Sequence, residues 1–278
     1  MTRELLYFGS FNPVHNGHIA LAEYAVERNL CDEVVLIVSP QSPYKEAAEL
    51  APEMDRFEMA ERACAASKYP DRIKASAVEF LLPHPAVKSL LPHPSYTVDT
   101  LRFLEKECGG RMRFAILMGG DQIAALDGWK EYERLFDYPI YVYPRRGERI
   151  DRFTDRITLL DDAPLLDISA TDIRLRVAQG EPITGMVAPS VAEYIREKGL
   201  WSPADLVAAL TVQIEKTPDD RQLLLTRGKL HYRLNEWGRA LNDFNRVLAL
   251  DPAATEAAQY AGMIREILEF RYKDIYNP

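Results

Sequence analysis

The chain has 278 residues, of which 47% are hydrophobic and 27% are charged, and its formal net charge is −8. This length and composition are typical of a globular protein with one or two domains and a substantial buried core. The net negative charge argues against a general affinity for nucleic acid, which requires concentrated positive charge, but it is compatible with a small phosphate ligand held by a few cations.

The sequence contains features that bear on its compartment. No apolar stretch approaches the roughly 20 residues needed to cross a bilayer, and the first strand-like run begins too early for a signal peptide to precede it. The three cysteines, Cys31, Cys64 and Cys108, are far apart and odd in number, so we expect free thiols in a reducing compartment. We therefore expect a cytoplasmic protein without a membrane partner.

Strand-like and helix-like segments alternate as far as Trp201. The strand-like runs are LLYFG at 5–9, EVVLIVS at 33–39, RIKASAV at 72–78, RFAILMG at 113–119, PIYVY at 139–143 and RITLL at 156–160. Helices are predicted to begin near Gly17, Pro52, Ser95, Asp121, Ser169 and Pro189. This alternation predicts an α/β fold with a Rossmann-like, doubly wound parallel sheet, in which ligands bind at the carboxyl ends of the strands.

The segment GSFNPVHNGH at 9–18 follows the first predicted strand and leads into the first predicted helix. Gly9 and Gly17 allow a ligand to come close to the backbone. A helix N-terminus attracts phosphate through its unpaired N–H groups, and His15 and His18, three residues apart, add donors on one face. The alternative interpretation is a capped turn whose histidines are satisfied within the protein.

A loop between the third predicted strand and the helix near Ser95 contains LLPHP twice, at 81–85 and 90–94. His84 and His93 could ligate a metal, but no cysteine or carboxylate lies at ligand spacing from them. We therefore predict a lengthened surface loop and no dedicated metal site.

A second polar motif, ISATDIR, occupies 168–174. Ser169 is a good helix cap, and Asp172, three residues later, completes a capping-box pattern. Ser169, Thr171 and Arg174 then cluster near a helix N-terminus, where the forked guanidinium can bind phosphate. A plain helix cap with a surface arginine is the alternative.

After Trp201 the strand pattern stops, and residues 202–278 are predicted to form a small all-α domain. The small and large positions of two packed helices in a tetratricopeptide-like repeat are matched by Leu224, Gly228, Tyr232, Ala240, Phe244 and Pro252. The first helix is predicted to end near Asn235 and the second to run from 236 to 250. From position 204 onward the tail contains 10 basic and 11 acidic residues, so it is not a nucleic-acid-binding arm.

The first motif matches Gly-x-Phe-x-Pro-x-His-x-Gly-His, which resembles the signature of the nucleotidyltransferase superfamily related to class I aminoacyl-tRNA synthetases. ISATDIR resembles the Ile-Ser-x-Thr-x-Ile-Arg motif of the same superfamily. Further segments resemble the bacterial nicotinate-nucleotide adenylyltransferases, and this resemblance covers residues 3–201. They are SPQSPYK at 39–45, SYTVDTL at 95–101, GGDQIAALDGW at 119–129, RRG at 145–147 and VAEYIREKGLW at 191–201.

The resemblance implies transfer of AMP from ATP to nicotinate mononucleotide, with Mg²⁺ accompanying the ATP. The catalytic residues it implies are His15, His18, Lys45 and Arg174. The residues it implies for ATP binding are Gly9, Ser10, Phe11, His15, Gly17, His18, Gly119, Asp121, Ile168, Ser169, Thr171 and Arg174. Those it implies for the mononucleotide are Asn12, Lys45, Tyr96, Thr97, Trp129 and Arg145.

Several alternatives stay open from the sequence. Trp129 could belong to the core, Asp121 could only cap a helix, and Lys45 and Arg145 could face water. The substrate could be nicotinamide mononucleotide or another small phosphate, or the protein could sense a nucleotide without turning it over. The helical tail could stabilise the protein, mediate self-association or bind another protein.

Overall fold

The computed structural model describes residues 1–40, 50–82, 95–145 and 150–275. The chain forms two compact units, one comprising Met1–Ile173 with Ile183–Lys198 and the other Arg174–Pro182 with Gly199–Pro278. The domain division predicted from the sequence, 1–201 and 202–278, stays a prediction. Most of the duplicated LLPHP loop, including His84 and His93, lies outside the described residues.

The first unit is built on a parallel sheet of six strands. They are β1 (Thr2–Gly9), β2 (Glu33–Val38), β3 (Ile73–Ser76), β4 (Met112–Gly119), β5 (Ile140–Tyr143) and β6 (Thr158–Leu159). Their spatial order is β3-β2-β1-β4-β5-β6, and every pair is parallel. This is the order of the Rossmann fold, so the predicted fold class is confirmed.

Six α-helices come next in the description, four of them between strands of this sheet and two after β6. They are α1 (Asn16–Glu27), α2 (Glu53–Ala65), α3 (Thr97–Cys108), α4 (Gly120–Ala124), α5 (Ala170–Gln179) and α6 (Pro189–Lys198). Short 3-10 helices occupy Val78–Phe80, Leu126–Gly128 and Tyr132–Asp137. Each of the six α-helices begins close to its predicted start, because the proline, serine and glycine residues that mark helix starts are local features of the sequence.

The core on one side of the sheet explains why the central strands are apolar. Leu6 of β1 and Ile116 of β4 pack with Leu101 of α3, and all three are almost completely buried. Removing a buried leucine side chain beyond its Cβ costs about 2–5 kcal/mol, so this contact holds the first turns of α3 firmly against the sheet. The carboxyl ends of β1 and β4 are thereby fixed beside the start of α3.

The second unit contains four further helices, α7 (Pro203–Lys216), α8 (Arg221–Arg233), α9 (Trp237–Leu250) and α10 (Thr255–Ile275). The predicted pair of helices corresponds to α8 and α9. The sequence analysis missed α7, although Ser202 and Asp205 form a capping box around Pro203 at its start. That capping pattern is the feature of the sequence that predicts a helix there.

The packing of α8 on α9 depends on Gly228. A Cβ atom at this position would lie 2.7 Å from the ring of Phe244, so a glycine is needed for the ring to approach α8. Leu224 and Ala240 are buried in the same cluster. Gly262, one repeat period later, has no described atom near its missing Cβ. Within the described residues, no helix packs on Gly262 as α9 packs on Gly228.

None of the helices within the described residues is both long enough and apolar enough to span a membrane.

Candidate active site

The candidate site lies where β1 and β4 are neighbours. To one side of this pair the sheet continues through β2 and β3, and to the other through β5 and β6. Connections leave the two central strands in opposite directions, and a crevice opens at their carboxyl ends. Gly9 ends β1 and Gly119 ends β4, so both predicted glycines lie at the edge of this crevice.

Gly9 makes room for the ring of Phe11. A Cβ atom at position 9 would lie 3.0 Å from that ring, and Phe11 itself has a left-handed backbone with φ of +43°. The ring is buried and packs edge-on against Tyr7 and His18, at centroid distances of 5.6 and 5.1 Å. Phe11 therefore supports the loop from beneath. If it contacts ATP as predicted, its backbone is the part available to do so.

The two histidines of the first motif lie together at the start of α1. Their rings stack with a centroid distance of 3.6 Å and an interplanar angle of 26°. The backbone N–H of His15 donates to Nδ1 of His18 over 3.1 Å, while the His15 ring makes no hydrogen bond to the helix. A Cβ atom at Gly17 would lie 3.0 Å from His15 Nδ1, so glycine lets the His15 ring lie close against this turn.

The environment of the pair sets its protonation. Burial, together with the nearby charge of Arg145, lowers the pKa of His15 to about 4. Its Nδ1 is buried and has no hydrogen-bond partner among the described residues. Because His18 Nδ1 accepts a hydrogen bond, a neutral His18 carries its proton on Nε2. At neutral pH His15 is therefore uncharged, and His18 offers an Nε2–H donor.

A second polar group surrounds Gly119. A Cβ atom there would lie 2.5 Å from Oδ1 of Asp121 and 3.3 Å from the Tyr143 hydroxyl, so a side chain at this position would displace the Asp121 carboxylate. The hydroxyls of Tyr143 and Tyr7 hydrogen-bond over 2.9 Å, although their strands are separated by β4. Arg145 Nε lies 3.2 Å from Asp121 Oδ1. The ion pair thus joins two residues that the resemblance assigns to different substrates.

The start of α3 carries the predicted Tyr-Thr pair. Tyr96 is the N-cap of the helix and Thr97 is its first residue. Tyr96 and Trp129 are both partly buried and pack against the same core cluster beneath β4. The ammonium group of Lys130 lies 5.0 Å from the centre of the Tyr96 ring. Trp129 therefore lies at the edge of the core. It packs against core side chains, as the core interpretation expects, but it also stays partly exposed.

The ISATDIR motif forms the start of α5, as the capping pattern predicts. The backbone N–H of Asp172 donates to Ser169 Oγ over 3.3 Å. Ser169 and Thr171 belong to the first unit and Arg174 to the second. Just before the motif, Leu166 would lie 3.8 Å from a Cβ atom at Gly17, so the approach to α5 passes beside the histidine turn. Ile168 precedes the cap and is half-buried.

For three further predicted site residues, Asn12, Lys45 and Ser10, the structure provides different information. Asn12 is 5% exposed, and its Oδ1 accepts a hydrogen bond of 3.0 Å from the backbone N–H of Ala51. This side-chain oxygen is therefore already engaged in holding the segment before α2. Lys45 lies outside the described residues. Ser10 precedes the buried part of the loop, and its carbonyl group accepts a hydrogen bond from Arg56.

The loop has anchors that the sequence analysis missed. The backbone N–H and the side-chain amide of Asn16 donate to the carbonyls of Met186 and Gly185, each over 2.8 Å. No pattern in the sequence relates positions so far apart. Tyr7 and Tyr143 were also missed, although each lies near the carboxyl end of a predicted strand. Among the described residues no cluster of three or more histidine, cysteine, aspartate or glutamate side chains is arranged to hold a metal ion.

Comparisons with known proteins agree with this geometry. The family model described as Cytidylyltransferase-like matches residues 6–176. A protein of Cytophaga hutchinsonii named "Probable nicotinate-nucleotide adenylyltransferase" is 37% identical over 71% of this chain and 97% of its own length. A protein of Bacteroides fragilis with the same name is 36% identical over 70% of this chain and 91% of its own length.

The fold also matches a solved structure. The nicotinic acid mononucleotide adenylyltransferase of Plasmodium falciparum, solved in complex with NaAD, aligns with a TM-score of 0.60 and 19% sequence identity. The alignment covers 72% of this chain and 98% of that one. At this identity the likeness concerns the fold. All of these matches leave more than a quarter of this chain uncovered.

Proposed function

Since this chain belongs to the nicotinate-nucleotide adenylyltransferases, within the cytidylyltransferase-like family, we propose that it transfers AMP from ATP to nicotinate mononucleotide. The products are nicotinate adenine dinucleotide and pyrophosphate. The reaction belongs to the biosynthesis of NAD. The observation that supports it most strongly is the stacked pair of His15 and His18 at a helix N-terminus on the β1–β4 crevice.

The chemistry suits a site that positions and stabilises charge. An oxygen of the mononucleotide phosphate attacks the α-phosphorus of ATP, the bond from that phosphorus to the bridging oxygen breaks, and pyrophosphate leaves. The nucleophile is already an anion, so the protein need not supply a nucleophile or a strong base. Catalysis then rests on alignment of the two phosphates and on donors aimed at the developing charge.

The histidines supply such donors in this proposal. His18 directs Nε2–H toward the triphosphate, since its Nδ1 is held by the His15 backbone. His15 acts as a neutral imidazole, because a pKa of about 4 leaves it uncharged at physiological pH. Lys45 and Arg174 are assigned to offset the negative charge that grows as pyrophosphate departs. The helix N-terminus of α1 adds its own partial positive charge.

The remaining assignments divide between the two substrates. For ATP, the proposed contacts are Gly9, Ser10, the Phe11 backbone, Gly17, Gly119, Asp121, Ile168, Ser169 and Thr171. For the mononucleotide, they are Asn12, Lys45, Tyr96, Thr97, Trp129 and Arg145. In this assignment the half-buried Trp129 stacks on the pyridine ring and the Tyr96–Thr97 segment binds the carboxylate.

A magnesium ion is proposed to arrive with ATP. Mg²⁺ keeps most of its water and binds mainly through substrate phosphates, so the protein needs few ligands for it. Its contribution is to neutralise phosphate charge.

The activity test follows pyrophosphate release by the purified full chain with ATP and Mg²⁺. Nicotinate mononucleotide and nicotinamide mononucleotide are compared side by side, and faster turnover of the acid is expected. Turnover of the amide alone would move the protein to the nicotinamide branch. ATP binding without pyrophosphate release from either substrate would favour a nucleotide sensor.

The site test replaces His18 by alanine. Removing one transition-state donor lowers kcat by about 10²–10³-fold in comparable sites, and we expect a loss of that order with little change in thermal stability. Glu27→Ala, on the exposed end of the same helix, is the matched control. Wild-type turnover by His18→Ala would refute the assignment.

We place the protein in the cytoplasm and assign the helical tail a stabilising role, with self-association or protein contact as the alternatives. A chain that ends at Trp201 is compared with the full chain by light scattering and thermal unfolding. Lower stability at unchanged subunit number supports the stabilising role. A change in subunit number instead indicates self-association.

A further inference from the structure

Four buried polar side chains of the first unit are concentrated beside the candidate site. They are Asn12, Arg56, Glu79 and Thr100, none more than 5% exposed, and they are all the buried polar residues of that unit within the described ranges. Burying a polar or charged group costs free energy unless it is fully hydrogen-bonded. The contacts of Arg56 and Glu79 show what this group of residues holds in place.

Arg56, on α2, is 1% exposed and donates only to backbone carbonyls in the hydrogen bonds observed. Its Nη1 donates to Ser10 over 2.8 Å and to Ser39 over 2.6 Å, and its Nη2 donates to Pro40 over 2.5 Å. Its Nε donates to Ala51 over 2.9 Å. One rigid guanidinium fork therefore joins the loop after β1, the residues just after β2 and the segment before α2.

Glu79, in the 3-10 helix after β3, gathers hydroxyl groups from three segments. Its carboxylate accepts hydrogen bonds from Ser95 over 2.5 Å, from Thr100 over 2.7 Å and from the hydroxyl of Ser39. Ser95 precedes the Tyr96 cap of α3, and Thr100 lies in its first turn. Glu79 thus holds the start of α3 against the end of β2.

Ser39 connects the two charged groups. Its carbonyl accepts from Arg56 and its hydroxyl donates to Glu79. Asn12 adds a parallel tie, because its Oδ1 accepts from the N–H of Ala51 while the carbonyl of Ala51 accepts from Arg56. The chain of contacts runs without a break from the loop that carries the histidines to the start of α3.

Stability alone does not explain this arrangement. Burial lowers the pKa of Arg56 to about 10, so the guanidinium stays charged at neutral pH and carries a desolvation cost. Burial also raises the pKa of Glu79. Well-packed apolar side chains of similar volume are often as stabilising as buried charges, or more so. A buried charged network at this place therefore points to a geometric requirement of the neighbouring site.

We propose that Arg56 and Glu79, joined through Ser39, are positioning residues that fix the histidine loop relative to the start of α3. This proposal rests on the proposed function, in which the loop binds the triphosphate and the start of α3 binds the mononucleotide. In-line transfer requires the two phosphates to meet at a set distance and angle. A displacement of 1 Å costs about 100-fold in rate, so the separation of these two segments controls kcat.

The test uses four variants of the full chain. Arg56→Met removes the charge and the fork, and Arg56→Lys keeps the charge but not the fork. Glu79→Met removes the acceptors, and Glu79→Gln retains one. Arg62→Met is the matched control, because Arg62 lies on the same helix, is partly exposed and pairs with Glu58.

Two measurements are made on each variant, namely steady-state kinetics with both substrates and amide hydrogen exchange of the free protein. We expect Arg56→Met and Arg56→Lys to lower kcat by about 10- to 100-fold and to speed exchange over residues 9–18. We expect Glu79→Met to lower kcat by about 10- to 100-fold, to raise KM for the mononucleotide and to speed exchange at the start of α3. Glu79→Gln should recover most of that loss, and the control should match the wild type.

The proposal is overturned by folded Arg56 and Glu79 variants with wild-type kcat, KM and local exchange. It is also overturned by faster exchange throughout the first unit with unchanged kcat and KM, which indicates a general role in folding. Should Arg56→Met fail to fold, Arg56→Lys carries the same test. If the wild type releases no pyrophosphate, the proposed function fails, while exchange in the free protein still tests whether the two residues hold their segments.

Discussion

The protonation of His15 gives a prediction that can be worked out from the structure. The perturbation is a fall in pH from 7 to 4. Burial and the charge of Arg145 lower the pKa of His15 from 6.5 to about 4. A folded-state pKa below the unfolded one means that the unfolded chain takes up the proton first. The stability that comes from this difference is fully present above pH 6.5 and is lost as pH falls toward 4.

The size of the effect follows from the two pKa values. With 6.5 in the unfolded chain and about 4 in the folded one, linkage gives a loss of about 2 kcal/mol between pH 7 and pH 5 and about 3 kcal/mol by pH 4. Carboxylates titrate in the same range, so a reference variant is needed. His15→Asn removes the imidazole and places a favoured N-cap residue at the start of α1.

The assay has two parts. Urea unfolding of the wild type and of His15→Asn is measured at pH 7 and pH 5, and the wild type is expected to lose about 2 kcal/mol more than the variant. The pKa of His15 is then measured directly by NMR, from the carbon and proton chemical shifts of its imidazole ring as a function of pH. Equal losses of stability in the two proteins, or a titration midpoint near 6.5, would refute the assignment of a buried neutral imidazole.

Two further predictions concern packing. Gly228→Ala should lower the free energy of unfolding by about 1–3 kcal/mol, because the new Cβ atom would lie 2.7 Å from the Phe244 ring. Gly238→Ala is the control: no atom lies within 4 Å of its Cβ position, so the substitution should raise the free energy of unfolding by about 0.5–1 kcal/mol. Urea unfolding followed by circular dichroism measures both, and equal effects would contradict the close approach of α8 and α9. Tyr143→Phe should cost about 1–3 kcal/mol, because it removes the 2.9 Å hydrogen bond of the buried Tyr7 hydroxyl. Adding Tyr7→Phe should recover most of that loss in the same assay, and a further loss would show that the hydroxyl pair is not the cause.

Local features of the sequence predicted much of the fold. The apolar run EVVLIV has the length and β-branched composition of a buried strand, and it forms β2. The motif ISATDIR carries its own helix start, and the N–H of Asp172 does bond to Ser169. The start of α7 carries the same kind of local signal, because Ser202 and Asp205 form a capping box there.

The candidate site was predictable only in part. His15 and His18 are three residues apart at a helix start, so their proximity follows from helical geometry. The burial of Arg56 could not be predicted from the sequence, because an arginine on an amphipathic helix ordinarily faces water. Its burial depends on carbonyls supplied by two other segments of the chain. The ion pair of Asp121 with Arg145 also depends on the order of the strands.

The sequence by itself therefore determined the strands, most of the helices and the two motifs that we propose to bind phosphate, because each depends on propensity, periodicity or capping within a few residues. It also indicated the superfamily, since six positions of one turn match a known signature, and the segments between 39 and 201 indicated the family within it. Only the tertiary structure decided that His15 is largely shielded from water and neutral, that Asn12 holds Ala51, and that Arg56 and Glu79 connect the histidine loop to α3. These properties arise where distant segments exclude water from polar groups and satisfy them, and no local pattern records which segments will meet.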